Sequence, residues 1–278
     1  MKKLFILALL FSLNLNISYA ALKVSPTIIE LNTLGHKRNY ITTSFNVRGG
    51  DSELIRFKVY PSYFEITEDG KMNEIPVSNS PNSLVDHAGI VPNEFTLKNG
   101  ESQKVRITIG NIDKLPDGEN RMVLFLEDVK PKEIILPYYK KDVVTKLMVK
   151  SRVGIPVYLD KGKFVKCASF DNLNLTKTPK ELVAKIELSS IGNSKVRYNG
   201  KAQIIKGRKL ISEKEISSNT IKNNGKLVVT ESIPTNDLKE LGEYKLRIVI
   251  NYEDEKGNLK NITKETNFLF DGINKTQI

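Results

Sequence analysis

From Gln103 to Ile109 the chain alternates without a break: Val105, Ile107 and Ile109 are apolar, and Lys104, Arg106 and Thr108 stand between them. A period of two puts every apolar group on one face of an extended strand, which a helical period of 3.6 cannot do. A turn at Lys98-Asn99-Gly100-Glu101 precedes this strand, and a Leu115-Pro116-Asp117-Gly118-Glu119 corner follows it. Met122 to Leu126 is then continuously apolar. Such a run predicts a central strand packed on both faces.

The same grammar continues along the chain. Phe45-Asn46-Val47 runs into Gly49-Gly50-Asp51, and Ile55 to Val59 alternates behind it, which predicts a hairpin. Asp69-Gly70 is a turn signal, Pro76 to Asn82 a loop, and Lys130 to Asp142 a loop holding the apolar Ile134 to Tyr139. One long strand is expected from Val143 to Val157, followed by a linker at Tyr158 to Lys163. Beyond it, Val183 to Leu188 alternates, Ile191-Gly192-Asn193 turns, Leu227 to Val229 is a strand, and Lys256-Gly257-Asn258 turns a final hairpin with Glu253-Asp254-Glu255 at its tip. Leu241-Gly242-Glu243-Tyr244 opens a late strand and resembles the tyrosine corner of immunoglobulin-like sandwiches. Short strands between regular turns and almost no helical periodicity predict an all-β chain of two immunoglobulin-like β-sandwich domains in tandem, residues 21–159 and 160–278.

The first 20 residues read differently. Lys2 and Lys3 precede the apolar Leu4 to Phe11, and Ser18-Tyr19-Ala20 is a small-x-Ala cleavage site. This is the pattern of a cleaved signal peptide and predicts export to the periplasm. No later stretch is apolar for long enough to span a bilayer. With 1 Cys in the chain, Cys167 has no internal disulfide partner, and stability must come from packed cores. Cys167 lies in the strand-like Phe164 to Ala168 and reads as a buried structural thiol. The formal charge of +11 is scattered along alternating strands without a nucleic-acid motif, the pattern of solvated faces.

Catalytic chemistry finds few carriers. The 2 His, His36 and His87, lie far apart, and with 1 Cys no His/Cys zinc set can be assembled. No Gly-x-Ser-x-Gly elbow is present, and Glu253-Asp254-Glu255 lacks the spaced ligands of a calcium loop. No enzyme activity and no cofactor are expected.

The order of turn, basic alternating strand, Leu-Pro corner and buried strand from Leu97 to Val129 resembles the first domain of periplasmic pilus-assembly chaperones, the PapD-like family. The resemblance implies a chaperone that caps pilus or surface-fibre subunits by donor-strand complementation, a form of β-augmentation. It implies pilin-like subunits and an outer-membrane usher-like platform as partners, and no nucleic acid. By position along the Ser-Arg-Val-x-Ile segment, the donor role falls to Val143, Thr145, Leu147 and Val149. The family's carboxylate anchor, an Arg on the first strand and a Lys on the last, is replaced by Ile28 and Gly154, which leaves Lys150 and Arg152 as candidate anchors. Arg106 and Glu119 occupy positions like those of a structural ion pair that orients the domains. An alternative from another class stays open: a structural or adhesive tandem-sandwich protein of the envelope.

Overall fold

The computed structural model describes residues 22–50, 54–75, 79–136, 145–178 and 181–272. The segment read as a signal peptide, and Val143, lie outside these residues. Among the described residues there are nineteen strands and no α-helix.

The first sandwich opens with β1 (Leu22–Ser25) and β2 (Ile29–Asn32), and continues with β3 (Tyr40–Gly49), β4 (Ile55–Ile66) and β5 (Met72–Ile75). Then come β6 (Ala88–Val91), β7 (Glu94–Leu97), β8 (Ser102–Gly110), β9 (Gly118–Asp128), β10 (Lys132–Leu136), β11 (Thr145–Val149) and β12 (Arg152–Lys161). One sheet runs β1-β3-β8-β6 and the facing one β2-β12-β9-β4-β5, with β7 also on β4. Alternation decides what fills the space between them. Val105, Ile107 and Ile109 of β8 are fully buried, opposite Met122, Leu124 and Leu126 of β9 and Ile155, Val157 and Leu159 of β12. The stretch from Val24 to Leu31 is two strands, because the chain switches sheets between Ser25 and Ile29. The expected hairpin of β3 and β4 is instead a crossover: β3 pairs with β1 and β8, and β4 with β5, β7 and β9.

The second sandwich comprises β13 (Ala168–Lys177), β14 (Glu181–Ser190), β15 (Val196–Lys206), β16 (Lys209–Ile221), β17 (Gly225–Pro234), β18 (Gly242–Glu253) and β19 (Leu259–Phe270). Its sheets run β13-β14-β17 and β16-β15-β18-β19. Ala184, Ile186 and Leu188 face Ala202, Ile204, Leu246, Ile248 and Ile250 in its core. The tyrosine corner is formed: Tyr244 donates its hydroxyl to the Glu240 carbonyl at 2.8 Å. Asp254 caps the β18–β19 turn by accepting from the amides of Lys256 and Asn258, as a hairpin tip requires.

Two readings change at the junction. Tyr158, Leu159 and Asp160 are buried inside β12, so the expected linker is strand there. Phe164 to Cys167 is irregular, and Cys167 is only half-buried.

Candidate functional site

The strand expected from Val143 to Val157 is broken. β11 ends at Val149 and β12 begins at Arg152, and the two belong to different sheets. Just past the break the Ser151 carbonyl accepts from the Asp128 amide at 3.0 Å, at the start of the β9–β12 ladder. β11 pairs with β10, placing Leu147 opposite Ile134 and Met148 opposite Glu133. The supposed loop from Lys130 to Asp142 therefore contains a strand. Among the described residues this ribbon has two strands and its outer edges carry no further strand. Leu147 is 47 % and Met148 57 % exposed, and Val149 is half-buried. A two-stranded apolar ribbon is marginal by itself and presents unpaired backbone to any extended chain.

Lys150 and Arg152 stand at the root of this ribbon, not at the junction between sandwiches. Lys150 pairs with Glu127, which also accepts the Tyr60 hydroxyl. These two contacts, the lysine first, hold the Glu127 carboxyl below its ordinary range. Arg152 lies 4.1 Å over the Phe125 ring and bonds Glu74 of β5 at 2.6 Å. Both cations are thus already engaged by carboxylates of the chain itself. Ile28, where the resemblance expects an arginine, packs against Phe64, Phe125 and Tyr158.

Glu119 is at the junction, but with other partners than expected. Arg106 is exposed on β8, in the opposite sheet. Glu119 is buried 3.2 Å from the Arg121 guanidinium, a charge contact without hydrogen-bond geometry. Its other oxygen accepts the Lys195 amide at 2.7 Å. Lys195 itself is 2 % exposed, with its ammonium 3.9 Å from the Tyr158 ring centre and 3.3 Å from Glu30. Asp160 accepts from Ser194 at 2.6 Å and pairs with Lys166 at 3.1 Å. Asn193 completes the joint, donating to the Lys163 carbonyl and accepting from the Val165 amide. Burial pushes the Glu119 carboxyl up, and the Lys195 and Arg121 charges oppose it.

Two contributors had no signal read for function. Glu74 follows the Asp69-Gly70 turn in the short strand β5, and Asn193 to Lys195 begins at the last residue of the Ile191-Gly192-Asn193 turn. Both act through contacts across more than 70 residues, which no local pattern encodes.

No family model matches the chain, and no curated protein matches it in sequence. Solved structures of chaperones align over about nine-tenths of it. The YadV chaperone is 8 % identical with a TM-score of 0.47, covering 89 % of this chain and 100 % of that one. A chain of the CsuC-CsuE chaperone–tip adhesion subunit pre-assembly complex from Acinetobacter baumannii is 12 % identical with a TM-score of 0.44, covering 88 % and 98 %. The E. coli chaperone DraB is 10 % identical with a TM-score of 0.41, covering 91 % and 98 %.

Proposed function

We propose that this protein is an exported, periplasmic chaperone that caps pilus or surface-fibre subunits by strand donation and delivers them to an outer-membrane usher-like platform. The observation that supports this reading most is the β10–β11 ribbon, which carries Leu147 and Met148 exposed beside an edge that is unpaired among the described residues. A subunit lacking one strand has a groove of bare core and unsatisfied backbone, and β11 offers both hydrogen bonds and side chains. Burying an aliphatic side chain contributes roughly 1.5–3 kcal/mol before ordering costs, so Thr145, Leu147 and Val149, with Val143, form an adequate donor set. Lys150 and Arg152 would meet the subunit's carboxylate after exchanging their internal partners. The mechanism needs no cofactor and no bond chemistry.

The test is coexpression with a fibre subunit encoded nearby. Leu147→Asp with Val149→Asp is expected to abolish copurification and leave the chaperone folded, because Leu147 is exposed and Val149 half-buried in a ribbon outside both cores. A subunit that associates equally with wild type and variant sinks strand donation by β11. One that never associates shifts the assignment to an adhesive or structural envelope protein.

A further inference from the structure

β9 is buried on both faces, yet only one face belongs to the sandwich core. Met122, Leu124 and Leu126 point inward, while Val123 and Phe125 join a separate cluster with Phe64, Ile66 and Tyr158 on the outside of the sheet. What covers that outer face is the end of β4. β4 pairs with β9 from Phe57 to Ser62 and then leaves it; Tyr63 to Ile66 pair only with β5. The edge of β9 that β4 vacates is taken by Asn82 to Leu84, whose backbone exchanges hydrogen bonds with Arg121 at 2.9 and 3.1 Å. Phe64 meets Tyr158 of β12 edge-on at 5.6 Å, although β9 lies between their strands in the sheet. The end of β4 thus leaves the β9 ladder while its Phe64 packs on the outer face of the sheet.

The hairpin is held at both ends. Glu74 of β5 bonds Arg152, three residues beyond the β11 ribbon. At the turn, the Glu68 carbonyl accepts the Val228 amide of β17 at 2.7 Å, and Gly70 touches the Asn219 side chain. β17 is an edge strand of the second sandwich, so the turn caps one of its free amides. The Glu74–Arg152 pair is partly exposed, and pairs of that kind contribute little and exchange readily.

We infer that the β4–β5 hairpin, Tyr63 to Ile75, is a self-inhibitory strap: it covers the outer β9–β12 face, occupies Arg152 with its own carboxylate, and is displaced when an extended fibre subunit docks along the ribbon. This rests on the chaperone reading for its partner, but not for the strap's opening. The strap's Glu74 stands where an incoming carboxylate would stand, and Phe64 where an incoming apolar side chain would.

The experiment uses the full chain with Cys167→Ser, Glu68→Cys and Val228→Cys, compared when the pair is cross-linked by a short bis-thiol reagent and when it is left reduced. Hydrogen exchange on the reduced protein is expected to run at least tenfold faster in Tyr63 to Ile75 than in Met122 to Leu126, and cross-linking should slow it to the β9 rate. Cross-linking should also lower capture of the fibre subunit at least tenfold. Glu74→Lys, which sets like charge against Arg152, should speed strap exchange severalfold and serves as a second route if the cysteine pair does not join. Strap exchange no faster than β9 in the reduced protein overturns the inference. Equal capture by locked and reduced protein overturns the displacement while leaving the chaperone reading intact. If wild type captures no subunit, the chaperone reading falls, and the exchange comparison alone upholds or overturns the strap.

Discussion

Glu119 puts a carboxyl group where water does not reach, between Arg121 and the Lys195 amide. Its burial raises the carboxyl above the ordinary value of 4.5. The folded chain therefore holds this proton to higher pH than the unfolded chain does. Its stabilising contribution is complete below about pH 4.5 and is lost as pH rises through the folded value. Glu119→Gln should remove that slope, seen as the difference between wild-type and variant denaturant unfolding from pH 4 to 8. Glu119→Ala should cost about 3–5 kcal/mol, because it strands a buried guanidinium and an amide together. The resemblance implied an ion pair of Glu119 with Arg106, whereas Glu119 lies against Arg121. The sequence could not supply the partner: Arg106 lies on the other sheet, and Lys195 is 76 residues away.

Elements were legible where their bonds are local. The tyrosine corner closes over four residues, so its Leu-x-x-Tyr spacing already contains the geometry. Tyr244→Phe should cost about 1 kcal/mol, checked by the urea midpoint at constant slope. β8 and β9 were readable for the same reason, because alternation and a continuous apolar run each describe a single strand. Pairing was not readable. One strand-like pattern runs through Thr145 to Val157, yet that stretch is divided between β11 and β12, which lie in two sheets. Turn signals after β3 fit a hairpin and a crossover equally, and the facing sheet decides between them.

At the scale of the molecule, two sandwiches with separate cores are joined through polar contacts rather than a shared apolar layer. Cooperativity between them then depends on a few hydrogen bonds. Asn193→Ala removes two bonds that hold the connecting segment at Lys163 and Val165, each worth about 0.5–1.5 kcal/mol, and should resolve one calorimetric transition into two. The two-sandwich class was legible from the chain's own order, whereas the joint was not, since its residues come from β2, β9, β12 and the segment before β15. The substitution of Asn82 to Leu84 for β4 along β9 has a consequence of its own. Lifting the strap bares Phe125 and Tyr158 but leaves the Arg121 amide and carbonyl bonded to Asn82 and Leu84. Opening then costs the bond from the Val228 amide to the Glu68 carbonyl, the Glu74–Arg152 pair and the solvation of a few side chains, which keeps it separable from unfolding.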